Sequence, residues 1–230
     1  MLNLNNRSYT KELLDGDDIP FEEIKLIMQE LNTVNTLLGG HAITKNGVKA
    51  FLKDCKTLHI CEIGCGGGDN LNAIAALKNI EFKFTGIDIK KECIDFAKKR
   101  YTSLNTHWVV SNYKDVVFNK KPHTIFSSLF CHHFTEPQLV EMLVWMKQNS
   151  TKGFFINDLQ RNVVAYFLIK WLTKLFSKSE LVINDAPLSV ARGFHKKEWK
   201  SIFKQAGIAN YSIKWKWAFR YLIICKNDEC

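Results

Sequence analysis

The stretch His59-Ile60-Cys61-Glu62-Ile63-Gly64-Cys65-Gly66-Gly67-Gly68-Asp69-Asn70 decides the fold. An apolar run ends there in glycines, and a helix-like pattern follows. This order predicts a strand, a tight turn and a helix. Glycine allows the backbone to adopt a positive φ and a ligand to approach the main chain, and the start of a helix leaves N–H groups free. The geometry suits a nucleotide-like ligand.

The glycine spacing argues against two common nucleotide sites. A dinucleotide-binding turn has the pattern Gly-x-Gly-x-x-Gly, but Asp69 stands where the third glycine would follow Gly64 and Gly66. A P-loop requires Gly-Lys-Ser/Thr, which the sequence lacks. What remains is Glu-x-Gly-x-Gly-x-Gly, followed by a second apolar run that ends in Asp88.

Two acids follow the predicted strands. Asp88, at the end of the second strand, is placed to accept hydrogen bonds from both hydroxyls of a ribose, and Glu62 lies at the end of the first strand. This pair indicates an adenosine without phosphates. The motif and its acids resemble the class I S-adenosylmethionine-dependent methyltransferases, over roughly residues 55 to 225. The resemblance implies S-adenosylmethionine as methyl donor and S-adenosylhomocysteine as product.

The same resemblance implies a set of cofactor-binding residues at the ends of the first four strands. They are Glu62, Gly64, Cys65, Gly66 and Gly68 at the amino-acid end, Asp88 with Ile89 at the ribose, Asn112 with Tyr113 at the adenine, and Leu129. Asn112 stands where the family often has an aspartate, and its side-chain oxygen is able to accept from the adenine amino group. An ordinary asparagine turn is the alternative.

Strand and helix patterns alternate from residue 57 onward, which predicts a mostly parallel sheet with helices on both faces. We expect strands at 57–63, 82–88, 106–111, 123–129 and 152–158, and helices near 69–78, 91–101 and 135–148. Residues 209–226 hold two adjacent strand-like runs, which predict a β-hairpin. The predicted fold is an α/β, Rossmann-like, seven-stranded sheet that ends in an antiparallel hairpin.

The chain before the first strand is expected to be helical after a polar, irregular segment of residues 1–19. One helix follows Pro20 and stops at Gly39-Gly40, and a second runs from about Lys45 to Asp54. We expect one structural domain, with an N-terminal helical cap (1–54) and a methyltransferase domain (55–230). A helical lid insertion is expected at about 160–194.

His132 and His133 follow the fourth strand and are the candidate catalytic residues. A neutral imidazole there would accept a proton from a hydroxyl that attacks the methyl group. Alternatively, one histidine caps the next helix and the other packs against the cleft wall. A metal cluster that includes Cys131 is disfavoured, because neighbouring residues in an extended chain point in opposite directions.

A basic amphipathic helix is predicted at 163–178. Its apolar residues are Val164, Phe167, Leu168, Trp171, Leu172, Leu175 and Phe176, and its lysines are Lys170, Lys174 and Lys178. Such a helix lies on a membrane surface, covers a hydrophobic acceptor pocket, or only covers the sheet. The sequence leaves all three open.

Composition limits the function classes. The chain has 230 residues and a net charge of +9, which permits nucleic acid, an anionic membrane or an anionic substrate as partner. Seven cysteines without a Cys-x-x-Cys pair disfavour disulfides and structural zinc. The absence of a signal-peptide pattern and of about 20 consecutive apolar residues leads us to expect a cytoplasmic protein.

The sequence favours a methyltransferase that acts on a small, aromatic or lipid-like acceptor, with oxygen as the target atom. The net charge motivates an RNA or protein acceptor as an alternative, although the chain lacks a nucleic-acid module and the Asn/Asp-Pro-Pro-Tyr/Phe tetrapeptide of base-modifying relatives. A third hypothesis is a non-catalytic S-adenosylmethionine-binding protein.

Overall fold

The computed structural model describes residues 4–16, 19–53 and 56–227. Seven strands form one sheet in the order β3-β2-β1-β4-β5-β7-β6. They are β1 (Thr57–Ile63), β2 (Glu81–Asp88), β3 (Thr106–Val110), β4 (Thr124–Ser128), β5 (Gly153–Leu159), β6 (Tyr211–Lys216) and β7 (Arg220–Lys226). The first five are parallel, and β7 pairs antiparallel with both β5 and β6. The predicted fold class is confirmed.

Helices cover both faces of this sheet. In the described part of the chain they are α1 (Phe21–Leu37), α2 (Gly40–Lys49), α3 (Asp69–Ala75), α4 (Lys91–Arg100), α5 (Glu136–Asn149), α6 (Val163–Phe176), α7 (Glu180–Arg192) and α8 (Lys196–Gln205). The predicted helices after the first, second and fourth strands correspond to α3, α4 and α5. No helix of the described residues is long and apolar enough to cross a membrane.

The core lies on both sides of the central strands. On one face, β1, β4 and β5 pack against α5 and α8, where Trp199 and Phe203 are fully buried. On the other face the same strands pack against α2 and α3, and the stacked rings of Phe126 and Phe155 lie 4.7 Å apart. Central parallel strands are covered on both faces, which is why their sequences are apolar almost throughout.

The N-terminal helices differ from the prediction. The second helix begins at Gly40 rather than near Lys45, and it ends at Lys49. The left-handed conformation of Gly39 (φ 75°) redirects the chain within one residue, so no linker separates the two helices. The predicted end of this helix at Asp54, and the predicted domain boundary between residues 54 and 55, lie outside the described residues.

The insertion after β5 is a helical hairpin of α6 and α7. The predicted amphipathic helix corresponds to α6. The helical insertion expected at about 160–194 contains a second helix, α7, which includes Pro187 although proline normally ends a helix. The Ser179 side chain accepts a hydrogen bond from the N–H of Val182 and so caps the start of α7.

Candidate active site

The glycine turn joins β1 to α3 and lies beside the end of β2. Gly64, Gly66 and Gly68 have φ values of 65°, 49° and 78°, as the glycine pattern predicts. The N–H of Gly66 donates to Asp88 Oδ2 at 2.8 Å, and the N–H of Lys90 donates to Asp88 Oδ1 at 2.9 Å. Burial raises the pKa of Asp88 although these two donors partly oppose the rise.

The space around the turn differs from glycine to glycine. A Cβ placed on Gly68 would lie 2.6 Å from the indole of Trp108, and one on Gly64 would lie 2.3 Å from the ring of Phe130. A Cβ on Gly66 would meet no heavy atom within 4 Å. Gly64 and Gly68 therefore permit side-chain packing, whereas Gly66 leaves an open surface of main chain.

Glu62 lies buried below this turn with one oxygen unpaired. The Asn70 amide donates to Glu62 Oε1 at 2.8 Å, and Asn70 Oδ1 lies 2.9 Å from Nδ1 of His41. Oε2 is buried and has no partner in the described part of the chain. Burial raises the pKa of Glu62 well above its ordinary value, because the charged form lacks a counter-ion. An unpaired buried carboxyl oxygen and an open main chain fit the ammonium group of an adenosyl amino acid.

The remaining predicted cofactor residues occupy varied positions. Asn112 accepts from the N–H of Lys114 at 3.1 Å, which is the geometry of an asparagine turn. Tyr113 is buried with its ring 5.1 Å from that of Trp145, and its hydroxyl has no partner among the described residues. Ile89 is exposed, and Cys65 is buried beside the turn. The cofactor contacts of these residues stay predictions.

An apolar cavity of about 300 Å³ lies beyond the carboxyl ends of β4 and β5. Its walls come from α1, α6 and α7 and include Leu31, Leu129, Leu172 and Val190. Leu129 has a positive φ of 53°, at the point where the chain leaves β4. The polar residues that line the cavity are Glu12, His132, His133, Asp185, Ser189 and Arg220.

His132 is held from behind by Asp158. Its Nδ1 lies 2.8 Å from Asp158 Oδ1, and Asp158 also accepts from the N–H groups of Leu159 and Cys131. Burial alone would raise the pKa of Asp158, but His132 and these backbone donors outweigh burial and lower it. Because an ionised carboxylate can only accept, Nδ1 of His132 is the donor to Asp158, and the tautomer protonated on Nδ1 alone has Nε2 as an acceptor.

Glu12 faces both imidazoles from the N-terminal segment. Its carboxylate oxygens lie 3.7 Å from Nε2 of His132 and 3.9 Å from Nε2 of His133. Burial raises the pKa of Glu12, partly opposed by His133, by the Ser189 hydroxyl that donates to it, and by the Arg192 guanidinium. The two Nε2 atoms and Glu12 therefore surround one small polar space at the end of an apolar cavity.

His133 is held in the same manner as His132. Its Nδ1 lies 2.9 Å from Asp15 Oδ1, and Arg192 donates to Asp15 Oδ2 at 3.2 Å. Burial raises the pKa of Asp15, but the bond to His133 and the nearby Arg192 outweigh it and lower the pKa to about 2. Both imidazoles thus have a carboxylate on Nδ1 and present Nε2 to the cavity.

Glu12, His132 and His133 each offer a ligand atom, and these atoms lie within 4.8 Å of one another. The disfavoured cluster with Cys131 is a different one, because the Cys131 thiol lies 3.2 Å from the Ser127 hydroxyl in the core. Arg192 Nε lies 3.8 Å from Glu12 Oε1, so a guanidinium already balances the charge of this carboxylate. That arrangement suits a hydrogen-bonding site better than a divalent cation.

The first residues, expected to be polar and irregular, contribute to this site in a way that the sequence does not indicate. Arg7 and Glu12 are buried, and a short 3₁₀ helix spans Leu13–Asp15. Arg7 donates to the carbonyl oxygens of His132 and Arg192 at 2.8 and 2.7 Å. The partners of Arg7 lie 125 and 185 positions later in the sequence, so a local periodicity cannot indicate these contacts.

Comparison with known proteins gives a family-model match over part of the chain and a fold shared with solved structures. Residues 60–153, from β1 to the start of β5, match the family model described as a methyltransferase domain. No curated protein matches the chain.

Solved structures with the same fold cover most of the chain at low sequence identity. The plantazolicin methyltransferase BpumL in complex with SAH has a TM-score of 0.67 at 16% identity, over 88% of this chain and 90% of that one. A SAM-dependent methyltransferase from Aquifex aeolicus has a TM-score of 0.63 at 16% identity, over 91% and 99%. Magnesium protoporphyrin IX methyltransferase from Synechocystis PCC 6803 has a TM-score of 0.52 at 14% identity, over 91% and 88%.

Proposed function

We propose that this chain, in which residues 60–153 form a methyltransferase domain within a class I S-adenosylmethionine-dependent methyltransferase fold, methylates an oxygen of a small, apolar acceptor. The observation that carries the proposal is the apolar cavity whose polar end presents the Nε2 atoms of His132 and His133. An aromatic or lipid-like acceptor with a hydroxyl group matches these walls and this end.

The cofactor is S-adenosylmethionine, whose sulfonium supplies an electrophilic methyl group. Glu62 would hold its ammonium through the unpaired Oε2, and the open main chain at Gly66 would lie against the amino-acid end. Asp88 would exchange its bond to Gly66 for the ribose hydroxyls. Asn112 and Tyr113 at the adenine, together with Ile89, Leu129 and the other residues of the turn, Gly64, Cys65 and Gly68, complete the proposed cofactor site.

His132 is the proposed general base. The Asp158 carboxylate accepts a hydrogen bond from the protonated Nδ1 of His132, so Nε2 of His132 receives the proton of the acceptor hydroxyl. The nearest carboxylate oxygen of Glu12 is 3.7 Å from this Nε2, too close for a hydroxyl to lie between them, so the acceptor hydroxyl would approach Nε2 from the cavity beside Glu12. The apolar walls orient the acceptor and exclude water, and alignment alone supplies much of the acceleration that methyl transfer needs.

The alternatives receive less support from the molecule. An RNA or protein acceptor would place a charged surface at the reacting end, whereas the cavity is walled by aliphatic side chains of α1, α6 and α7. A non-catalytic binding protein would not require two imidazoles with carboxylates on both Nδ1 atoms. Under the same proposal α1 and α2 serve as the cap of the cleft, and α6 and α7 as the lid.

Ligand binding is the first test. In thermal unfolding, S-adenosylmethionine and S-adenosylhomocysteine should each raise the melting temperature, and NAD should not. A ligand at about 100 times its Kd adds about 2.7 kcal/mol of stability. Stabilisation by NAD alone would contradict the cofactor assignment.

Catalysis is tested with S-adenosylhomocysteine formation on a panel of alkylphenols. His132→Gln should reduce kcat by about 10² to 10⁴-fold, the usual contribution of a general base. His107→Gln is the matched control, because His107 is exposed on β3 and does not line the cavity. Full turnover by both His132→Gln and His133→Gln would remove the base from the mechanism and leave the cofactor site untouched.

A further inference from the structure

Arg220, the first residue of β7, lines the cavity with two of its three guanidinium nitrogens unpaired among the described residues. Its side chain is only 3% exposed, and neither Nε nor Nη1 has a hydrogen-bond partner among the described residues. Burial lowers its pKa to about 10. The nearest stabilising charge, Asp158, is already engaged by His132 and by backbone N–H groups. A buried cation without a partner is costly, so it normally marks a site that an anion completes.

Two other buried arginines show the usual arrangement. Arg161 makes two bonds to the carboxylate of Glu198, at 2.6 and 3.1 Å. Arg192 bonds to Asp15 and to the carbonyl oxygens of Thr10 and His132. Neither of these guanidinium groups needs a ligand, and Arg220 differs from both.

We propose that Arg220 is a carboxylate-binding residue of this cavity. A carboxylate is planar and acidic and matches the guanidinium fork of arginine with two parallel hydrogen bonds. The proposal rests on the function proposed above, which offers two sources of a carboxylate. One is the amino-acid end of the cofactor, and the other is an acid group on the acceptor.

The surroundings of Arg220 are compatible with both sources. A Cβ placed on Gly40 would lie 2.5 Å from Arg220 Nη1, so the guanidinium lies against the start of α2. The next residue, His41, bonds to Asn70, which in turn holds Glu62 at the predicted amino-acid end. Arg220 also lines the cavity together with His132, at the predicted acceptor end.

The test compares Arg220→Met with the wild type in isothermal titration. One arm uses S-adenosylhomocysteine and 5′-methylthioadenosine, which lacks the carboxylate. The other uses 4-hexylbenzoate and the neutral 4-hexylbenzyl alcohol. A charge-assisted pair of hydrogen bonds corresponds to an affinity loss of about 10- to 100-fold. A loss confined to S-adenosylhomocysteine assigns the carboxylate to the cofactor, and a loss confined to 4-hexylbenzoate assigns it to the acceptor.

Thermal unfolding of the ligand-free protein gives an independent readout. Arg220→Met should leave the melting temperature unchanged or raise it, because the substitution removes an unpaired charge. Arg161→Met is the control and should lower the melting temperature, because it leaves Glu198 without its partner. Arg220→Lys keeps the charge without the fork and covers the case in which Arg220→Met does not fold.

Unchanged affinity for both acids in Arg220→Met, together with a melting temperature that falls as in Arg161→Met, would overturn the proposal. If the wild type binds no S-adenosylhomocysteine, the proposed function fails. The 4-hexylbenzoate arm still tests Arg220 in that case.

A different observation concerns the outer surface of α6. The residues that face the protein are Ala165, Ile169 and Thr173, whereas Val164, Phe167, Leu168, Trp171 and Leu175 face outward. Trp171 is 63% exposed and Phe176 is 77% exposed. Trp217, in the turn between β6 and β7, is 72% exposed and lines the same cavity as Leu168 and Leu172 of α6. The exposed apolar surface therefore surrounds the mouth of the cavity.

Lysines border this surface. Lys170 and Lys174 are exposed on α6, and Lys178 is exposed just after its C-terminal end. Exposed aromatic and aliphatic side chains bordered by lysines are the pattern of a helix that lies in the interface of an anionic membrane. We infer that the α6 surface binds an anionic bilayer, so that a lipid-like acceptor enters the cavity directly from the membrane.

Vesicle co-sedimentation tests this inference without any methyl transfer. The protein should sediment with phosphatidylcholine vesicles that contain 30% phosphatidylglycerol, and increasing salt should weaken the binding. Trp171→Ser with Phe176→Ser should reduce the bound fraction at least about 10-fold, since each removes buried apolar area from the interface. Val117→Ser is the control, because Val117 is 90% exposed and does not line the cavity.

Equal binding by the double variant and the wild type would refute the membrane contact. Light scattering that finds a dimer, which the double variant dissociates while vesicle binding is absent, would assign the surface to a second copy of the chain and overturn the inference.

Discussion

The single substitutions Gly66→Ala and Gly68→Ala should have different effects, because Gly66 faces the proposed cofactor site whereas Gly68 packs against Trp108. Both glycines have a positive φ, so alanine at either position costs about 1 kcal/mol of backbone strain. At Gly66 the new methyl group meets no atom within 4 Å. At Gly68 it would lie 2.6 Å from Trp108, and overpacking of this kind costs about 1–3 kcal/mol more.

The free energy of unfolding should therefore fall by about 1 kcal/mol in Gly66→Ala and by about 2–4 kcal/mol in Gly68→Ala. Urea unfolding followed by tryptophan fluorescence measures both values. Binding of S-adenosylhomocysteine should show the opposite order, because the methyl group at Gly66 enters the space proposed for the cofactor. We expect at least about a 10-fold weaker Kd for Gly66→Ala, equivalent to 1.4 kcal/mol.

Replacing Trp108 by leucine in the Gly68→Ala background should recover part of the lost stability, since the two sites share one contact. Equal stability losses in the two alanine variants would refute the packing role of Gly68. Wild-type affinity for S-adenosylhomocysteine in Gly66→Ala would refute the placement of the cofactor against this part of the turn.

Three further predictions concern charged groups. The pKa of Asp15 is lowered to about 2 in the folded protein, so its ionised carboxylate stabilises the fold above about pH 4. Asp15→Asn should therefore lower the free energy of unfolding by about 1–2 kcal/mol above pH 4, and this difference from the wild type should vanish as the pH falls through 2. Urea unfolding at a series of pH values measures the difference. Glu198→Ala should cost about 3 kcal/mol in the same assay, because it leaves the fully buried Arg161 without its carboxylate; a loss below 1 kcal/mol would contradict this reasoning. EDTA should leave alkylphenol methylation unchanged, and elemental analysis should find no stoichiometric metal, because Arg192 already balances Glu12; loss of activity that zinc restores would show the opposite.

The sequence was sufficient for the sheet and for the glycine turn because both are encoded locally. The strand that ends at Ile63, the positive φ values of the turn and the acid at Asp88 all follow from neighbouring residues. The alternating aromatic residues near the end of the chain also predict the final hairpin, and the antiparallel pairing of β6 with β7 confirms this prediction.

The proposed acceptor end of the candidate site cannot be predicted from local sequence patterns. Glu12 and Asp15 lie in a stretch without helical or strand periodicity, and their partners His132 and His133 follow about 120 residues later. The sequence indicates the two histidines but not the carboxylates that orient them. The sequence predicts Asp158 only as the last residue of the fifth strand (152–158), since its bond to His132 depends on how two parallel strands end side by side.

The contacts of Arg7 also limit how early in synthesis the N-terminal segment can take its final position. Residues 4–16 are synthesised early, but Arg7 bonds to His132 and Arg192, which are 125 and 185 positions later. The partners of Arg7 therefore become available only after the five parallel strands have been synthesised. A chain cleaved after residue 16 would keep Glu62 and Asp88 at the glycine turn but would lose Glu12 and Asp15, the carboxylates beside the two imidazoles.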